Sequence, residues 1–398
     1  GRDRYRRRSD ADLREGKTMG FGAILTTGDA NAALPPALAG AVAEVRVEQP
    51  LDGPAQFAIR FIDDLRDGRP LVADDPALAI GTMLSVLVEV DGALTCLVRG
   101  PVTDHRSSLM FGGPGSAFDV VGLDRLDLLD RACRIERWSG RASDVASTLL
   151  AAVFDAVVVE NTPRVFEEGD ATLNQRSTDL DFLMEIAVRN NLHLWVGYEA
   201  SRSLTGAIRI TETANLASSP RRPEGAGGLL AGVISLVPTT QVELRVQVPG
   251  RQTVTEFEIA VDSRRPSRFA IGSMARGDGR PVTTEASDPQ PPAGEGPVRL
   301  DGIGEARDLC MVGSGDPVET QTRAESALTE AGWFVRARAS TSTALLGGVI
   351  GAHDVVRAVG VGPRLGAAAF RVRHATHVIT AAHHMIDADL DSNSLGAG

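Results

Sequence analysis

The stretch NQRSTDLDFLMEIAVRNNLHLWV, residues 174–196, contains the start, the body and the end of a helix, followed by a strand. Thr178 with Asp181 resembles a capping box, with Asp in place of the usual Glu, and predicts the helix start. Asn190-Asn191 ends the helix, and LHLWVGY behind it predicts a strand. We expect these elements to belong to a small α/β domain, roughly residues 115–215. The apolar face of the predicted helix consists of Leu180, Leu183, Met184 and Ala187.

The residues before this stretch predict further elements of the same α/β domain. FDVVGLDRLDLLDR, residues 118–131, predicts a strand and then a helical turn opened by Asp124. Ser143 is the predicted cap of a helix over residues 144–154, because its hydroxyl accepts from the free backbone N–H groups at a helix start.

The chain on the N-terminal side of this domain is predicted to be β-structure. Apolar and polar residues alternate through AEVRVEQ and AQFAIRFID, which is typical of half-buried strands. TMLSVLVEV and ALTCLVRGPVTDH flank Asp91-Gly92, and such a pair between two strands predicts a tight hairpin because its turn needs positive φ. Residues 42–110 are therefore expected to form an antiparallel sheet or a small barrel.

The last third of the chain returns to β-structure. QVELRVQV and QTVTEFEIAVD alternate on either side of Pro249-Gly250. Residues 262–297 are rich in Pro, Gly, Ser and Arg, and we predict a long loop or linker there. A helix is expected over residues 317–331. The strands predicted after it lie around residues 333–339, 353–361 and 368–380.

The two β regions share a rhythm. Each has a Gly, a hydrophobic run, a short Gly turn and a second run that ends near a His. The first copy extends from Gly81 to His105, and the second from Gly351 to His377. We interpret this as an internal repeat of two small barrels, with the Asp91-Gly92 hairpin matched by a turn near residues 362–366.

Composition excludes several classes of function. With 41 Lys and Arg against 52 Asp and Glu, the 398-residue chain has a formal net charge of −11. That balance argues against sequence-specific binding of nucleic acid, which needs a basic face. No apolar run reaches the ~20 residues of a membrane-spanning segment. Residues 1–40, first basic and then rich in Ala, Gly and Pro, are expected to be a disordered or peripheral arm.

The three cysteines lie far apart in the sequence, without a CxxC motif. An odd, sparse set is typical of a reduced cytosolic chain rather than of a disulfide scaffold. Cys96 and Cys133 lie in apolar, strand-like sequence and are predicted to be core residues, and Cys310 is the third.

Four segments, taken in order, resemble the late control D family of phage tail proteins. That family includes the baseplate central hub of contractile tails and the N-terminal part of the valine-glycine repeat proteins of type VI secretion. The most specific segment is residues 174–196, with its Gln, its Asp-capped helix beginning with Phe-Leu and its apolar and aromatic strand. The others are the Gly-led hairpin at 79–102, the strand-Gly-x-Asp-helix segment at 118–131, and the helix, Gly-containing strands, Val-x-x-x-x-His and terminal Asn within 323–396.

The resemblance covers about residues 42–395 and implies a fold. The class is mainly β with α/β insertions (α+β), built from two tube-type small β-barrel domains and a small α/β domain. The expected domains are the arm 1–40, a first barrel 41–114, a middle domain 115–215 and a second barrel 216–398. The Pro-rich stretch 262–297 departs from the family pattern and is expected to be an insertion in the second barrel.

The resemblance also implies a structural role. Three chains with two barrels each place six barrels in a ring, which matches a sixfold tail tube on one side and a threefold spike on the other. The expected partners are two further copies in a homotrimer, the tail tube protein, a spike and other baseplate proteins. Because the sequence stops at residue 398, the spike is expected to be a separate protein. Synthesis in the bacterial cytoplasm and assembly into a phage tail or tail-like injection particle follow from the same likeness.

Four histidines lie within eleven residues near the C-terminus and are the first candidate metal ligands. His374 and His377 are three apart in a predicted strand and point to opposite faces, and adjacent His383 and His384 also diverge. A metal-dependent hydrolase of a tail tip that uses this cluster is one alternative function. A carbohydrate-binding β-protein of a tail tip is another, although an aromatic content of 4% makes stacking platforms for sugars scarce.

The remaining candidates have structural explanations. Asp179 and Asp181 precede a helix, where negative charge is favoured. GGPGS at 112–116 lacks the Lys-Ser/Thr of a phosphate loop and predicts a turn. We therefore expect a structural protein and not an enzyme, with no catalytic, cofactor-binding or metal-binding residue and no cofactor. Core or interface positions are expected for Trp138, Trp195 and Trp333.

Overall fold

The computed structural model describes residues 22–64, 70–110, 115–167, 173–219, 242–274, 281–293, 297–311 and 316–397. The helices are α1 (Pro36–Ala39), α2 (Ala142–Ala151), α3 (Asp179–Arg189), α4 (Pro317–Gly332), α5 (Thr343–Leu346) and α6 (Pro363–Gly366), with 3₁₀ turns at Pro76–Leu78, Arg125–Asp130 and Leu300–Gly302. The strands are β1 (Ile24–Thr27), β2 (Ala32–Ala33), β3 (Val42–Pro50), β4 (Gln56–Ile62), β5 (Met83–Val90), β6 (Ala93–Ser108), β7 (Ala117–Leu123), β8 (Glu136–Trp138), β9 (Gly140–Arg141), β10 (Ala156–Val159), β11 (Val165–Phe166), β12 (Leu173–Gln175), β13 (His193–Arg202), β14 (Ile208–Ala217), β15 (Val242–Arg245), β16 (Glu256–Val261), β17 (Arg268–Met274), β18 (Pro281–Ala286), β19 (Pro297–Val298), β20 (Asp308–Leu309), β21 (Val335–Ser342), β22 (Val355–Val359), β23 (Ala369–Ile379), β24 (His384–Ser392) and β25 (Leu395–Gly396).

The fold is mostly β with several sheets and a few helices, which confirms the expected class. Thirteen of the described strands form one sheet in the order β16-β21-β24-β23-β3-β4-β7-β6-β5-β1-β2, with β22 beside β23 and β15 beside β22. The smaller sheets are β10-β14-β13, β18-β17-β20, β8-β12, β9-β11 and β19-β25. Within the described ranges no helix is long and apolar enough to cross a membrane.

The two predicted β regions meet in this one sheet. β3 pairs antiparallel with the C-terminal half of β23, from Val45 opposite Ile379 to Pro50 opposite His374. We call this ladder the seam. Neither β region closes into a barrel on its own among the described strands, because β3 pairs with a strand of the other region.

Three large hydrophobic cores lie against these sheets, and a fourth, small one consists of Phe269, Ala324 and Leu328. The first core is formed by residues between 25 and 120 together with Ile379, and the second by residues between 244 and 395. The middle core, between residues 126 and 216, packs α2 and α3 against β13 and β14. The large sheet therefore continues across two separate cores, one on each side of the seam.

The middle region keeps the predicted order of helices and strands. Thr178 caps α3, and its hydroxyl accepts from the N–H of Asp181 at 3.2 Å. The predicted cap of α2 was wrong: Ser143 lies inside the helix, and Arg141 occupies the cap position without a side-chain bond. The strand β7, expected to open the middle domain, pairs with β4 and β6 in the large sheet.

Two predicted irregular regions contain regular structure. In the Pro-rich stretch 262–297, β17 and β18 pair as an antiparallel hairpin, so the prediction of a loop was wrong there. In the predicted arm 1–40, β1 pairs with β5, and Leu25, Leu34 and Leu38 are buried in the first core. The Arg-rich residues 1–21 lie outside the described residues.

Other local predictions have mixed outcomes. The Asp91-Gly92 turn joins β5 to β6 with positive φ at both residues, 49° and 81°, as predicted. Helix α4 confirms the helix expected over residues 317–331. Cys96 is buried as expected, whereas Cys133 is exposed, because it precedes β8 on an edge outside the middle core.

Gly122 in β7 is required by close packing. A Cβ at this position would lie 2.1 Å from Cζ of Phe57 and 2.5 Å from the carbonyl oxygen of Pro101. Both distances are far inside van der Waals contact, so only glycine lets β4, β6 and β7 approach this closely.

Candidate functional site: two repeated units and their charged face

Five strands of the first β region have counterparts in the second. We call β3, β4, β5, β6 and β7 the first unit, and β16, β21, β22, β23 and β24 the second unit. In chain order these strands correspond one to one, and every antiparallel pairing of the first unit recurs in the second: β3 with β4, β4 with β7, β7 with β6, and β6 with β5. The units are thus a tandem repeat.

The repeat extends to backbone detail. Val102 in β6 donates its N–H to Thr82 and accepts from the N–H of Gly81, at 2.9 and 2.8 Å. In β23, Val372 donates to Asp354 and accepts from His353, at 2.8 and 2.9 Å. A β-bulge follows each valine in its strand. The predicted repeat beginning at Gly81 is therefore present, but its counterpart is His353 and not Gly351.

The connections between equivalent strands differ. Asp91-Gly92 joins β5 to β6 directly, and the one-turn helix α6 lies between β22 and β23. The two turns thus occupy equivalent places in the units, as expected, with different local structure. Flanking strands also differ, since β1 is antiparallel to β5 and β15 is parallel to β22.

The face of the large sheet opposite the two cores is polar, and we call it the charged face. Alternation along the strands puts valine and phenylalanine on the core side and charged residues on the other side. In the second unit, Glu258, Arg338, Asp389 and His374 lie side by side on four adjacent strands. The Nε of Arg338 donates to Asp389 at 3.1 Å, and this bond raises the pKa of the guanidinium.

The first unit carries a similar row of alternating charge. Glu44, Arg60, Asp119 and Arg106 lie side by side on β3, β4, β7 and β6. Arg60 binds Asp119 through two bonds of 2.8 and 3.1 Å, and the pKa of Arg60 is raised mainly by this hydrogen bond. Opposite charges on neighbouring strands stabilise the sheet modestly and leave no large patch of one sign.

A buried ionic network ties the two units to the middle region. Arg371 and Asp391 are each 1% exposed and form two bonds of 2.9 and 2.8 Å. The same guanidinium stacks on Trp333 at 3.8 Å and donates to Nε2 of His193 at 3.1 Å. His193 in turn donates from Nδ1 to Asp52, just after β3, at 3.0 Å. The network lies beside the end of the seam at which Pro50 is opposite His374.

A second network joins the first unit to the middle region. Glu212 in β14 accepts from Arg99 in β6 at 2.5 Å and from Arg125 at 3.0 Å. Both Glu212 and Arg99 are less than a tenth exposed. The nearby Cys96 thiol has its pKa raised, first by burial and then by Glu212, so it is a core group and not a reactive thiolate.

Two of the four histidines come together, in a pair that the sequence analysis did not consider. His377 and His384 face each other across the β23–β24 hairpin, with Nδ1 and Nε2 3.0 Å apart. Burial lowers the pKa of His377 to about 3 and that of His384 to about 4. No group of three or more His, Cys, Asp or Glu side chains suited to a metal ion occurs in the described part of the chain. His374 lies instead on the charged face.

The other sequence candidates have structural partners. Asp179 pairs with Arg134 at 2.7 Å and accepts from Gln175 at 2.7 Å. Asp124 caps its 3₁₀ turn, and burial raises its pKa to about 7. Residues 112–114 of the Gly-rich segment lie outside the described residues, and the N–H groups of residues 115 and 116 donate to Asp64. Of the tryptophans, Trp333 is buried, and Trp138 and Trp195 are half-buried.

No protein-family model and no curated protein matches this sequence. Solved structures match over nearly the whole chain. A tail protein from Neisseria meningitidis is 14% identical with a TM-score of 0.57, over 94% of this chain and 96% of that one. The 43 kDa tail protein of prophage MuSo2 from Shewanella oneidensis is 12% identical with a TM-score of 0.58, over 93% and 98% of the two chains.

A component of the type VI secretion system of E. coli is 10% identical to this chain with a TM-score of 0.50. The match covers 88% of this chain and 73% of that one. At these identities the likeness shows a shared fold: this chain has the fold of phage tail proteins.

Proposed function

We propose that this chain, which has the fold of phage tail proteins, is a structural hub of the late control D type in the baseplate of a contractile tail or injection particle. It acts as an adaptor and not as an enzyme. Its partners in the proposal are further copies of itself, a tail tube protein, a spike and other baseplate proteins, with assembly from the bacterial cytoplasm. The observation that carries the proposal is the head-to-tail joining of two equivalent units at the seam.

The seam defines how one unit follows another. β3, an end strand of the first unit, pairs with the half of β23 that β22 leaves uncovered. By the repeat, β16 is equivalent to β3, and β6 is equivalent to β23. β16 ends the sheet, and residues 103–108 of β6 carry no strand on the corresponding side within the described chain. The same contact therefore pairs β16 of one copy with β6 of the next.

The repeat also fixes the register of this contact. At the seam, Glu48 lies opposite Thr376. Their equivalents, counted from the two bulges, are Ala260 in β16 and Arg106 in β6. We therefore place Ala260 of one copy opposite Arg106 of the next, with Ile259 opposite Ser107.

The two open edges have the character of an interface. Val261 is 45% exposed at the end of β16, and Leu109 is 63% exposed just after β6. An edge strand with free backbone groups and exposed apolar side chains pairs readily with another chain. A contact between two different surfaces generates a ring when its rotation closes.

Three copies supply six equivalent units, which is the number needed to face a sixfold tube. The middle region lies outside the repeat and occurs three times in such a ring, which suits a threefold spike. Two separate cores on either side of the seam support the interpretation of each unit as a tube-type barrel domain.

The charged face is the side of the ring that lines a channel in this proposal. The cores occupy the other side of the sheet, and an open cavity of about 520 Å³ lies over the charged face of the second unit. A channel wall of alternating charge remains hydrated and offers a passing polymer no extended patch of positive or of negative charge.

The mass of the purified chain tests the proposal. Native mass spectrometry and light scattering at micromolar concentration should give a homotrimer, and electron microscopy should show a ring with a central channel. Monomers under all conditions, including mixtures with the tube and spike proteins, together with the absence of a threefold ring in whole particles, would overturn it.

A further inference from the structure

The bulge in β23 places an arginine in the cavity of the charged face. Strand alternation would put Arg373 and His374 on opposite faces, but the bulge after Val372 lets both line the 520 Å³ cavity. In the first unit the equivalent bulge residue is Thr103, whose hydroxyl donates back to the carbonyl of Val121 at 3.4 Å. The same backbone feature thus presents a cation in one unit alone.

Arg373 makes no hydrogen bond or ion pair with any residue that the structure describes. Its neighbour Arg336 in the same cavity has long contacts only, 3.5 Å to Asp391 and 3.8 Å to Glu330. Asp391 is already bound by Arg371 through two shorter bonds. Burial lowers the pKa of Arg336, the charge of Asp391 raises it, and the charge of Arg373 lowers it again. The cavity therefore holds Arg373 without a carboxylate partner among the described residues, and Arg336 with two distant ones.

The acidic groups around these cations are engaged elsewhere. Asp389 accepts from Arg338, and Asp52 accepts from His193 and from the N–H of Leu194. Together with Glu258 they surround the guanidinium groups of Arg373 and Arg336 with negative charge. A polyanion such as a nucleic acid would be repelled by this surround, whereas one carboxylate on an uncharged backbone fits between the arginines.

We propose that this cavity binds the side-chain carboxylate of a single Asp or Glu in an otherwise uncharged polypeptide segment, held between Arg373 and Arg336. The carboxylate accepts from both guanidinium groups, which are planar donors suited to two-point contact with it. The inference concerns one chain and is independent of the oligomeric state. In the ring proposed above, the segment would belong to a protein inside the channel.

Calorimetric titration at low ionic strength tests the site. The probe is an N-acetylated, C-amidated peptide with a single Glu flanked by Gly residues, compared with its Gln counterpart and with oligothymidylate. We expect saturable binding of the Glu peptide, and no binding of the other two. Arg373→Thr, which installs the residue of the equivalent bulge, should weaken binding by about tenfold or more, since bonds to charged groups are the strong ones.

Matched variants distinguish binding at this cavity from nonspecific attraction between charges. Arg46→Gln removes an exposed arginine of the charged face outside the cavity and should leave the affinity unchanged. Arg373→Lys keeps the charge but loses the two-point contact, and its affinity should lie between those of the wild type and Arg373→Thr. The mass of each variant in solution is measured in parallel. It shows whether a variant that has lost peptide binding has also lost assembly. Equal affinity for wild type and Arg373→Thr, no saturable binding of the Glu peptide, or Arg373-dependent binding of oligothymidylate would each overturn the proposal.

Discussion

Val102 and Val372 hold the same place in two different strands, each giving and accepting one backbone bond with the segment before the preceding strand. The partner residues are chemically unlike, Gly81 in one unit and His353 in the other, yet both have positive φ, 87° and 72°. Positive φ is uncommon for a residue other than Gly. The two units thus share backbone geometry where their side chains differ, and the register of the proposed contact between copies rests on this geometry.

The edge of β16 should control assembly without controlling folding. Asp262 donates its N–H to Phe334 at 2.9 Å, and because N–H groups alternate sides along a strand, that of Val261 points to the free edge. Val261→Pro removes this donor and should weaken association about tenfold or more, with little change in melting temperature. Val261→Ala keeps the donor and is the matched control. Equal trimer stability of the two variants, measured by dilution and light scattering, would show that β16 is not the interface.

The Arg371–Asp391 pair should be costly to break from one side. Arg371→Met leaves a buried carboxylate without its partner, and we expect a loss of about 3–5 kcal/mol in the free energy of unfolding. The double variant Arg371→Met with Asp391→Leu removes both charges and should lose less. Urea denaturation measures both. If the double variant is less stable than Arg371→Met, the pair stabilises the fold by more than the neutralisation of two buried charges.

Acid should destabilise the protein through the His377–His384 pair. Burial lowers the pKa values of these histidines to about 3 and about 4, so both are neutral in the folded chain and take up protons on unfolding below their ordinary pKa of 6.5. Their contribution to stability is complete above pH 6.5 and falls as the pH falls towards about 4. His377→Leu should reduce this loss.

The comparison of His377→Leu with wild type isolates the histidines. Burial raises the pKa of Asp124 to about 7 and that of Asp354 to about 6, which favours the folded state at low pH, but both groups are present in both proteins. Melting temperatures measured from pH 7 to 4 should therefore fall more steeply in the wild type. Parallel curves would contradict the assignment.

Gly122 should resist substitution. Gly122→Ala forces a methyl group against Phe57 and the backbone of Pro101, and overpacking of this kind costs about 1–3 kcal/mol. Gly197→Ala in β13 is the control, because its nearest atom is the end of a side chain, the amide nitrogen of Asn215, at 3.3 Å and not at 2.1 Å. Chemical denaturation should show a clearly larger loss at position 122, and equal losses would refute the packing argument.

The start of α3 should depend on Thr178 more than on Asp181. The hydroxyl of Thr178 is the acceptor for the free N–H, so Thr178→Ala should cost about 1 kcal/mol. Asp181 contributes its charge to the first turn, and Asp181→Ala should cost less, about 0.3–1 kcal/mol. The order of the two melting temperatures tests this ranking.

Features set by neighbouring residues were predictable from sequence. The cap at Thr178, the turn at Asp91-Gly92 and the extent of α4 follow from local hydrogen bonding and from periodicity. The alternation in β3 and β4 also predicted which side chains are buried. In each case the signal and the structure lie within a few residues of each other.

Features set by residues distant in the sequence were not predictable from it. Nothing near β3 in the sequence shows that it pairs with β23, so the two β regions were expected to close separately. In RVRHATHV, simple alternation puts Arg371 and Arg373 on one face. The bulge separates them, burying the first against Asp391 and exposing the second. The contact between His377 and His384 likewise depends on hairpin register and not on spacing along one strand.

The seam has a consequence for how the chain folds during synthesis. β3 leaves the ribosome before its partner β23, which follows only after strands β4 to β22 have been made. Pairing between elements so remote in sequence is slow, and until it occurs one edge of the nascent first unit stays unpaired. In a chain stalled or truncated before β23, the edge strand β3 would stay unpaired. We therefore expect such fragments to aggregate or to recruit chaperones. In the chain that includes β23, this edge is paired within the molecule.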